Sequence, residues 1–198
     1  MYNGRNEVTN TCAYSYIQDI ISLGQSELYK GKCMKQIYLI GGTMGVGKTV
    51  TCQQLKAKLG NSVYLDGDWC WDMNPFVVNE ETKKMVVKNI TGVLNNFINC
   101  SVYNHIIFSW VMDEQIIIND LINRLNLEGC TIHKISLICR PAVLKEHLEK
   151  DVENGIRTID IIDKAMGKLS KYLLLDTLKV DVSGFSPDET AVHIMENC

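Results

Sequence analysis

Gly41-Gly42-Thr43-Met44-Gly45-Val46-Gly47-Lys48-Thr49 is the stretch from which the rest of the chain is read. From Gly42 to Thr49 it fits G-x-x-x-x-G-K-[ST]. Each position has a chemical reason. A polyphosphate is wrapped by backbone N–H groups, and residues without a Cβ let the chain curl that closely. A helix beginning where the loop ends turns its unpaired N–H groups and positive dipole end toward the phosphates. Lys48 reaches the β- and γ-phosphates, and Thr49 offers a hydroxyl to Mg²⁺.

The flanks supply the context the motif requires. Gln36-Ile37-Tyr38-Leu39-Ile40 reads as a short buried strand. Thr49 to Gly60 reads as a helix, with Val50, Leu55 and Leu59 on one face and Gly60 as its glycine cap. Strand, glycine loop and helix follow in the required order. Gly42, Thr43, Met44, Gly45, Val46, Gly47, Lys48, Thr49 and Val50 are therefore the expected ATP-binding set.

The chain beyond this stretch alternates strand and helix. Strands are expected over 61–65, 104–110, 131–139 and 178–182. Helices are expected from Asn79 to about Asn99, from Glu114 to Asn126 and from Pro141 to about Asn154. Pro141 suits the first helical position. Gly155-Ile156-Arg157-Thr158 is a break, with Thr158 as cap of a helix running to about Leu174. Ser186 and Glu189 form a capping box that opens the last helix. Such alternation implies a parallel sheet covered on both faces by right-handed crossovers. The expected fold is α/β of the three-layer P-loop NTPase type, with about five strands and a small helical lid near 141–158. Ligands in such sheets bind beyond the carboxyl ends of the strands. Asp66, Asp68, Trp110, Asp113 and Arg140 follow strand ends and should share that rim with the loop.

Residues 1–33 read as an N-terminal extension to the domain 34–198. Tyr16, Ile17, Ile20, Ile21, Leu23 and Leu28 suggest a helix of about four turns in it. A packing role is expected for this helix, with dimerisation as the alternative.

Composition excludes several classes. The chain has 198 residues, 46% hydrophobic and 22% charged, long enough for one domain with a real core. Net charge is −3 with no basic stripe, so duplex nucleic acid is not an expected partner. No apolar run reaches membrane-spanning length and no signal-peptide pattern opens the chain, so a soluble cytoplasmic protein is expected, monomeric or homodimeric. Eight cysteines are scattered without a C-x-x-C pair. They read as reduced thiols, several of them buried, rather than as a zinc site. Cys70 stands apart because it lies in a suspected substrate loop.

Asp66 and Asp68, separated by one glycine at the end of the second strand, suit phosphoryl transfer. An acceptor hydroxyl needs orientation and a place for its proton, and Mg²⁺ needs anionic partners. Leu65-Asp66-Gly67-Asp68 resembles the L-D-G-D of gluconate and adenylylsulfate kinases. It is similar to the D-x-D of shikimate kinases and to the single aspartate of chloramphenicol phosphotransferases. The resemblance is to the small P-loop kinases of metabolites, and its layout covers about Met34 to Cys198. It implies that Asp66 helps to hold the Mg²⁺ shell and that Asp68 orients or deprotonates the acceptor.

The segment from Arg140 through Arg157 resembles the lid of that family, whose basic side chains meet the transferred phosphoryl group. Arg157 is the first candidate, then Lys150 and Arg140. Ser183-Gly184-Phe185-Ser186-Pro187 resembles the loop bordering adenine, which adds Gly184 to the nucleotide set. No aspartate directly follows the apolar run of the third strand, Phe108-Ser109-Trp110. The chain has only four arginines, Arg5, Arg124, Arg140 and Arg157, few for gripping an anionic acceptor. Trp69, Trp71 and Trp110 near the rim suit a neutral or aromatic one.

The reading that results is an ATP- and Mg²⁺-dependent kinase of a small hydroxyl-bearing substrate. Its alternatives are a nucleoside monophosphate kinase, a nucleotide-binding switch or NTPase with no small acceptor, and a binder that has lost turnover.

Overall fold

The computed structural model describes residues 34–198, which fall in the unit Cys33–Cys198. The helix expected near 16–28 and the rest of the extension 1–33 lie outside the described residues. The elements run β1 Lys35–Gly42, α1 Lys48–Lys58, β2 Ser62–Asp66, a 3₁₀ turn Gly67–Trp71, α2 Glu80–Asn99 and β3 His105–Trp110. They continue with α3 Gln115–Asn123, β4 Cys130–Ile138, α4 Pro141–Glu153, α5 Ile161–Leu173, β5 Leu178–Asp181 and α6 Pro187–Asn197.

All five strands pair in parallel, in the order β2-β3-β1-β4-β5. The chain crosses from one side of β1 to the other between β3 and β4. The end of β1 is therefore a topological switch point, where a crevice opens.

Side chains alternate across β1 and build two cores. Ile37 and Leu39 face one way, with Ile106, Phe108 and the buried stripes of α2 and α3. Tyr38 and Ile40 face the other, with Tyr64, Ile107, Leu137 and residues of α1, α4, α5 and α6. This period of two is what a strand buried on both faces requires. On α2, Val86, Ile90, Leu94 and Ile98 recur at helical spacing and are buried. Each such burial is worth about 1.5–3 kcal/mol. A capping box between Asn79 and Thr82 starts that helix, and the expected Ser186–Glu189 box starts α6.

Three local expectations are corrected. Val50 does not join the buried face of α1: it is 51% exposed, and Thr51, Cys52 and Leu55 form that face. At 3.6 residues per turn, position 50 lies roughly 140° round the helix from position 55, whereas Thr51 and Cys52 lie nearer to it. Gly60 is not a left-handed cap, since Leu59 closes α1 in an extended conformation and Asn61 takes the positive φ of 50°. Thr158 does not cap the next helix, which begins at Ile161 with Asp160 before it. The Thr158 hydroxyl donates to the Asp160 carboxylate instead, an alternative open to short polar side chains.

Among the described residues no helix is long and apolar enough to cross a membrane.

Candidate active site

The loop between β1 and α1 is closed by sterics. Gly45 and Gly47 have φ of 80° and 97°, the region that disfavours a Cβ. A Cβ on Gly45 would also lie 2.6 Å from Leu148 Cδ2 of α4, so that helix presses directly on the loop. Thr43 is buried and donates to the Ala165 carbonyl of α5 over 2.9 Å. Lys48 Nζ donates to the carbonyls of Gly42 at 2.9 Å and Thr43 at 3.1 Å. Burial pushes its ammonium down to about 8, against the opposing pull of Asp68 and Asp66. A desolvated cation inside a ring of backbone is suited to a polyanion.

Asp66 is the hub of the site. Its Oδ2 accepts from Thr49 Oγ1 at 2.9 Å and from the Tyr64 hydroxyl at 2.8 Å. Its Oδ1 accepts from the Asp68 backbone N–H at 3.1 Å, which starts the 3₁₀ turn. Tyr64 shares a second hydrogen bond with Ser109 Oγ at 2.8 Å. Burial pushes the Tyr64 hydroxyl well above its ordinary range, so it stays protonated and donates. The sequence reading did not include Tyr64 or Ser109. No local pattern marks them: Asp66 and Ser109 come into register only through the pairing of β2 with β3. Cys52 lies beneath this network, its thiol pushed up to about 12 by burial and therefore neutral.

Asp68 is held above the usual carboxylate range, first by its surroundings and then by the Asp66 charge. Lys48, Arg157 and a hydrogen bond from Trp110 oppose that rise. Gly67 is glycine for a reason its neighbours in sequence do not reveal. Its φ is not in the left-handed region, but a Cβ there would lie 2.6 Å from Trp110 Cγ. The Asp-Gly-Asp spelling thus leaves room for a ring from β3.

Two clefts meet at Asp68. One, of about 520 Å³, is lined by Met44 through Thr51, Asp68, His147, Lys150, Asp151, Arg157, Val182, Phe185, Pro187 and Thr190. Asp151 accepts from Arg157 Nε at 2.9 Å, and Glu146 accepts from Lys150 Nζ at 2.7 Å. His147 Nδ1 lies 3.3 Å from the Gly45 carbonyl. The second cleft, of about 700 Å³, is lined by Asp68, Trp69, Trp71, Asp72, Phe76 and Val78. Trp71 and Phe76 have ring centroids 6.2 Å apart, and Trp69 meets Tyr64 edge-on at 5.7 Å.

Some expected residues sit elsewhere. Arg140 precedes α4 as its N-cap, its backbone N–H donates to Ser183 Oγ over 2.7 Å, and its charge acts on Asp181. Neither Arg140 nor Gly184 is among the residues lining the first cleft, which Phe185 enters in place of Gly184. Trp110 lies against Gly67 rather than in the aromatic cleft. Asp113 is buried and paired with Lys168 at 3.1 Å and Lys171 at 3.2 Å, which tie α5 to the end of β3. The Cys70 thiol is half-buried and pushed up by burial.

A parallel sheet with a glycine phosphate loop at its switch point defines the P-loop nucleotide-binding class. The chain belongs to the AAA domain family, whose model matches residues 39–165. No curated protein sequence matches it. Solved structures share the fold. The tunicamycin resistance protein of Deinococcus radiodurans is 19% identical, with a TM-score of 0.59 over 82% of this chain and 95% of that one. A gluconokinase from Sinorhizobium meliloti 1021 is 13% identical, with a TM-score of 0.56 over 83% of this chain and 95% of that one. A shikimate kinase from Acinetobacter baumannii, in complex with shikimate, is 16% identical, with a TM-score of 0.57 over 84% and 93%.

Proposed function

We propose that the chain is an ATP- and Mg²⁺-dependent phosphotransferase that moves the γ-phosphoryl group to a hydroxyl of a small metabolite, nucleoside or antibiotic-like substrate. The observation that carries this reading is Asp68, which lines both clefts. Transfer needs one group within reach of both co-substrates, whereas a nucleotide switch has no need of a second cleft. The gluconokinase and shikimate kinase among the similar structures support the reading by analogy of fold.

The residues present fit a Mg²⁺-triphosphate. The glycines leave the loop backbone open, Lys48 is a desolvated cation, and the Thr49–Asp66 pair supplies hard oxygen donors. Lys48 and the N–H groups of the loop hold the phosphates. Thr49 and Asp66 would hold Mg²⁺, with the Tyr64 hydroxyl, itself bonded to Ser109, fixing the Asp66 carboxylate. When bound, Mg²⁺ neutralises charge on the phosphate oxygens.

Asp68 accepts the acceptor's hydroxyl proton as the new O–P bond forms and the bond to the ADP oxygen breaks in line. A carboxylate held above its usual range is a better base for this. Trp69 and Trp71 hold the acceptor. Arg157 meets charge on the transferred group, and its bond to Asp151 is what it exchanges. The protein acts in the cytoplasm on small molecules, without nucleic acid or membrane.

The test is a thermal-shift and ADP-release screen over uncharged alcohols, nucleosides and antibiotics, since a bound ligand raises the melting temperature by mass action. The expected result is ADP release that depends on an acceptor. Robust hydrolysis without one, surviving Asp68→Asn, would replace this reading by the NTPase.

A further inference from the structure

A third cavity, of about 410 Å³, lies between α2 and α3. Its size falls in the span of roughly 300–1,000 Å³ typical of small-molecule pockets. Ile90 and Leu121 are buried in its floor. Trp71 and Trp110 wall one side, and Ile116 lines it while 72% exposed. An isolated exposed isoleucine needs no explanation, but one that borders an apolar cavity offers a ligand surface.

Trp71 is shared with the aromatic cleft, and the Trp110 ring lies against Gly67, the residue before Asp68. The cavity is thus next to the proposed acceptor site, with one indole between them. Its two charged lining residues are already neutralised on their own helices. Lys83 pairs with Glu80 at 2.9 Å, and Asp120 takes a forked bond from Arg124 at 2.9–3.0 Å. An anionic ligand would have to break one of these pairs, whereas an uncharged apolar group can lie against Val, Ile, Leu and Trp surface and leave both pairs intact.

We propose that this chamber takes the apolar end of the acceptor, which is an uncharged amphiphilic alcohol. Its hydroxyl lies at Asp68 and its hydrophobic ring or chain passes Trp71 to end between α2 and α3. The assignment rests on the phosphotransfer reading and narrows it. Sugars and small polyols, which have no apolar end, would leave the chamber unused.

The probes are methyl β-glucoside and octyl β-glucoside, the latter below its micelle concentration. They share a polar head and differ in seven methylenes. Binding to the full chain is read by tryptophan fluorescence, with Mg²⁺ and a non-hydrolysable ATP analogue titrated in parallel. Octyl glucoside is expected to bind at least about tenfold more tightly, because partial burial of its chain suffices for that. Ile116→Asp is expected to remove the preference. The exposed position makes the variant tolerable to the fold, and Ile116→Leu is expected to restore the preference. Equal affinities for the two probes with normal nucleotide binding would overturn the chamber alone, as would a preference that survives Ile116→Asp. An octyl preference that depends on Ile116 in a protein that binds no nucleotide would support the chamber as an apolar site and overturn the phosphotransfer reading.

Discussion

Thr49 Oγ1 donates to Asp66 Oδ2 over 2.9 Å, joining the first turn of the helix after the phosphate loop to the last residue of β2. A hydroxyl and a carboxylate from different elements are thereby held as one oxygen pair. Asp66→Asn keeps the shape but weakens the pair for a hard cation. The expected outcome is a raised Mg²⁺ requirement before any fall in maximal rate, measured by Mg²⁺ titration of ADP release. Tyr64→Phe should shift the same curve by less, because it removes one of three donors to Asp66. An unchanged Mg²⁺ dependence in both variants would separate Asp66 from the metal.

Lys48→Ala should abolish Mg²⁺-ATP binding and transfer while leaving the fold intact, measured by calorimetry and circular dichroism. The ligand-free protein adds a pH signature. Below pH 8 the ammonium is charged both folded and unfolded, so the folded chain bears its burial cost. From about 8 to the ordinary lysine value of 10.5 the folded form gives up its proton first, and that cost falls away as pH rises. Relative to Lys48→Met, the wild-type chain should therefore gain on the order of 2–3 kcal/mol across this window. Urea melts on either side of it provide the measurement. A constant difference would mean that the ammonium is solvated.

Asp68→Asn keeps size and hydrogen bonding but removes the basic site. Acceptor-dependent transfer should fall by roughly 10²–10⁴-fold, with ATP affinity barely changed. Because Asp68 is held above the usual carboxylate range, activity in the wild-type chain should be lost as pH falls through a value higher than that of an ordinary aspartate. The variant should lack this acid limb in its rate profile. Persistence of the limb would assign it to another group.

Gly67→Ala should destabilise the fold by about 1–3 kcal/mol, the usual cost of forcing an extra carbon into packed surroundings. The clash is with Trp110 Cγ at 2.6 Å. Trp110→Leu in the same chain should recover part of that cost, and a double-mutant cycle in denaturant measures the coupling. Additive effects would show that the glycine answers to its backbone rather than to the ring.

A chain beginning at Met34 should fold and bind Mg²⁺-ATP. Insolubility or an unfolded spectrum would make residues 1–33 part of the domain core.

The strand, phosphate loop and first helix were legible in sequence because their causes are local. Glycines at forced φ values, a short apolar run in β1 and helical spacing in α2 each act within a few residues. Alternation of strand and helix then dictated a parallel sheet. Local signals misled where two short-range options compete, as at Gly60 against Asn61 and at Thr158 against Asp160.

The relations around Asp66 and Asp68 required the tertiary structure. Tyr64 and Ser109 are 45 residues apart and meet because β2 and β3 are neighbours. Gly67 makes room for a ring that arrives from β3. Arg157 finds Asp151 across the turn that ends α4, while Arg140 does not line the cleft and acts on Asp181 through its charge. Such contacts depend on strand order and on which helix face is buried. Those are settled by the burial of the whole chain, and no window of sequence contains them.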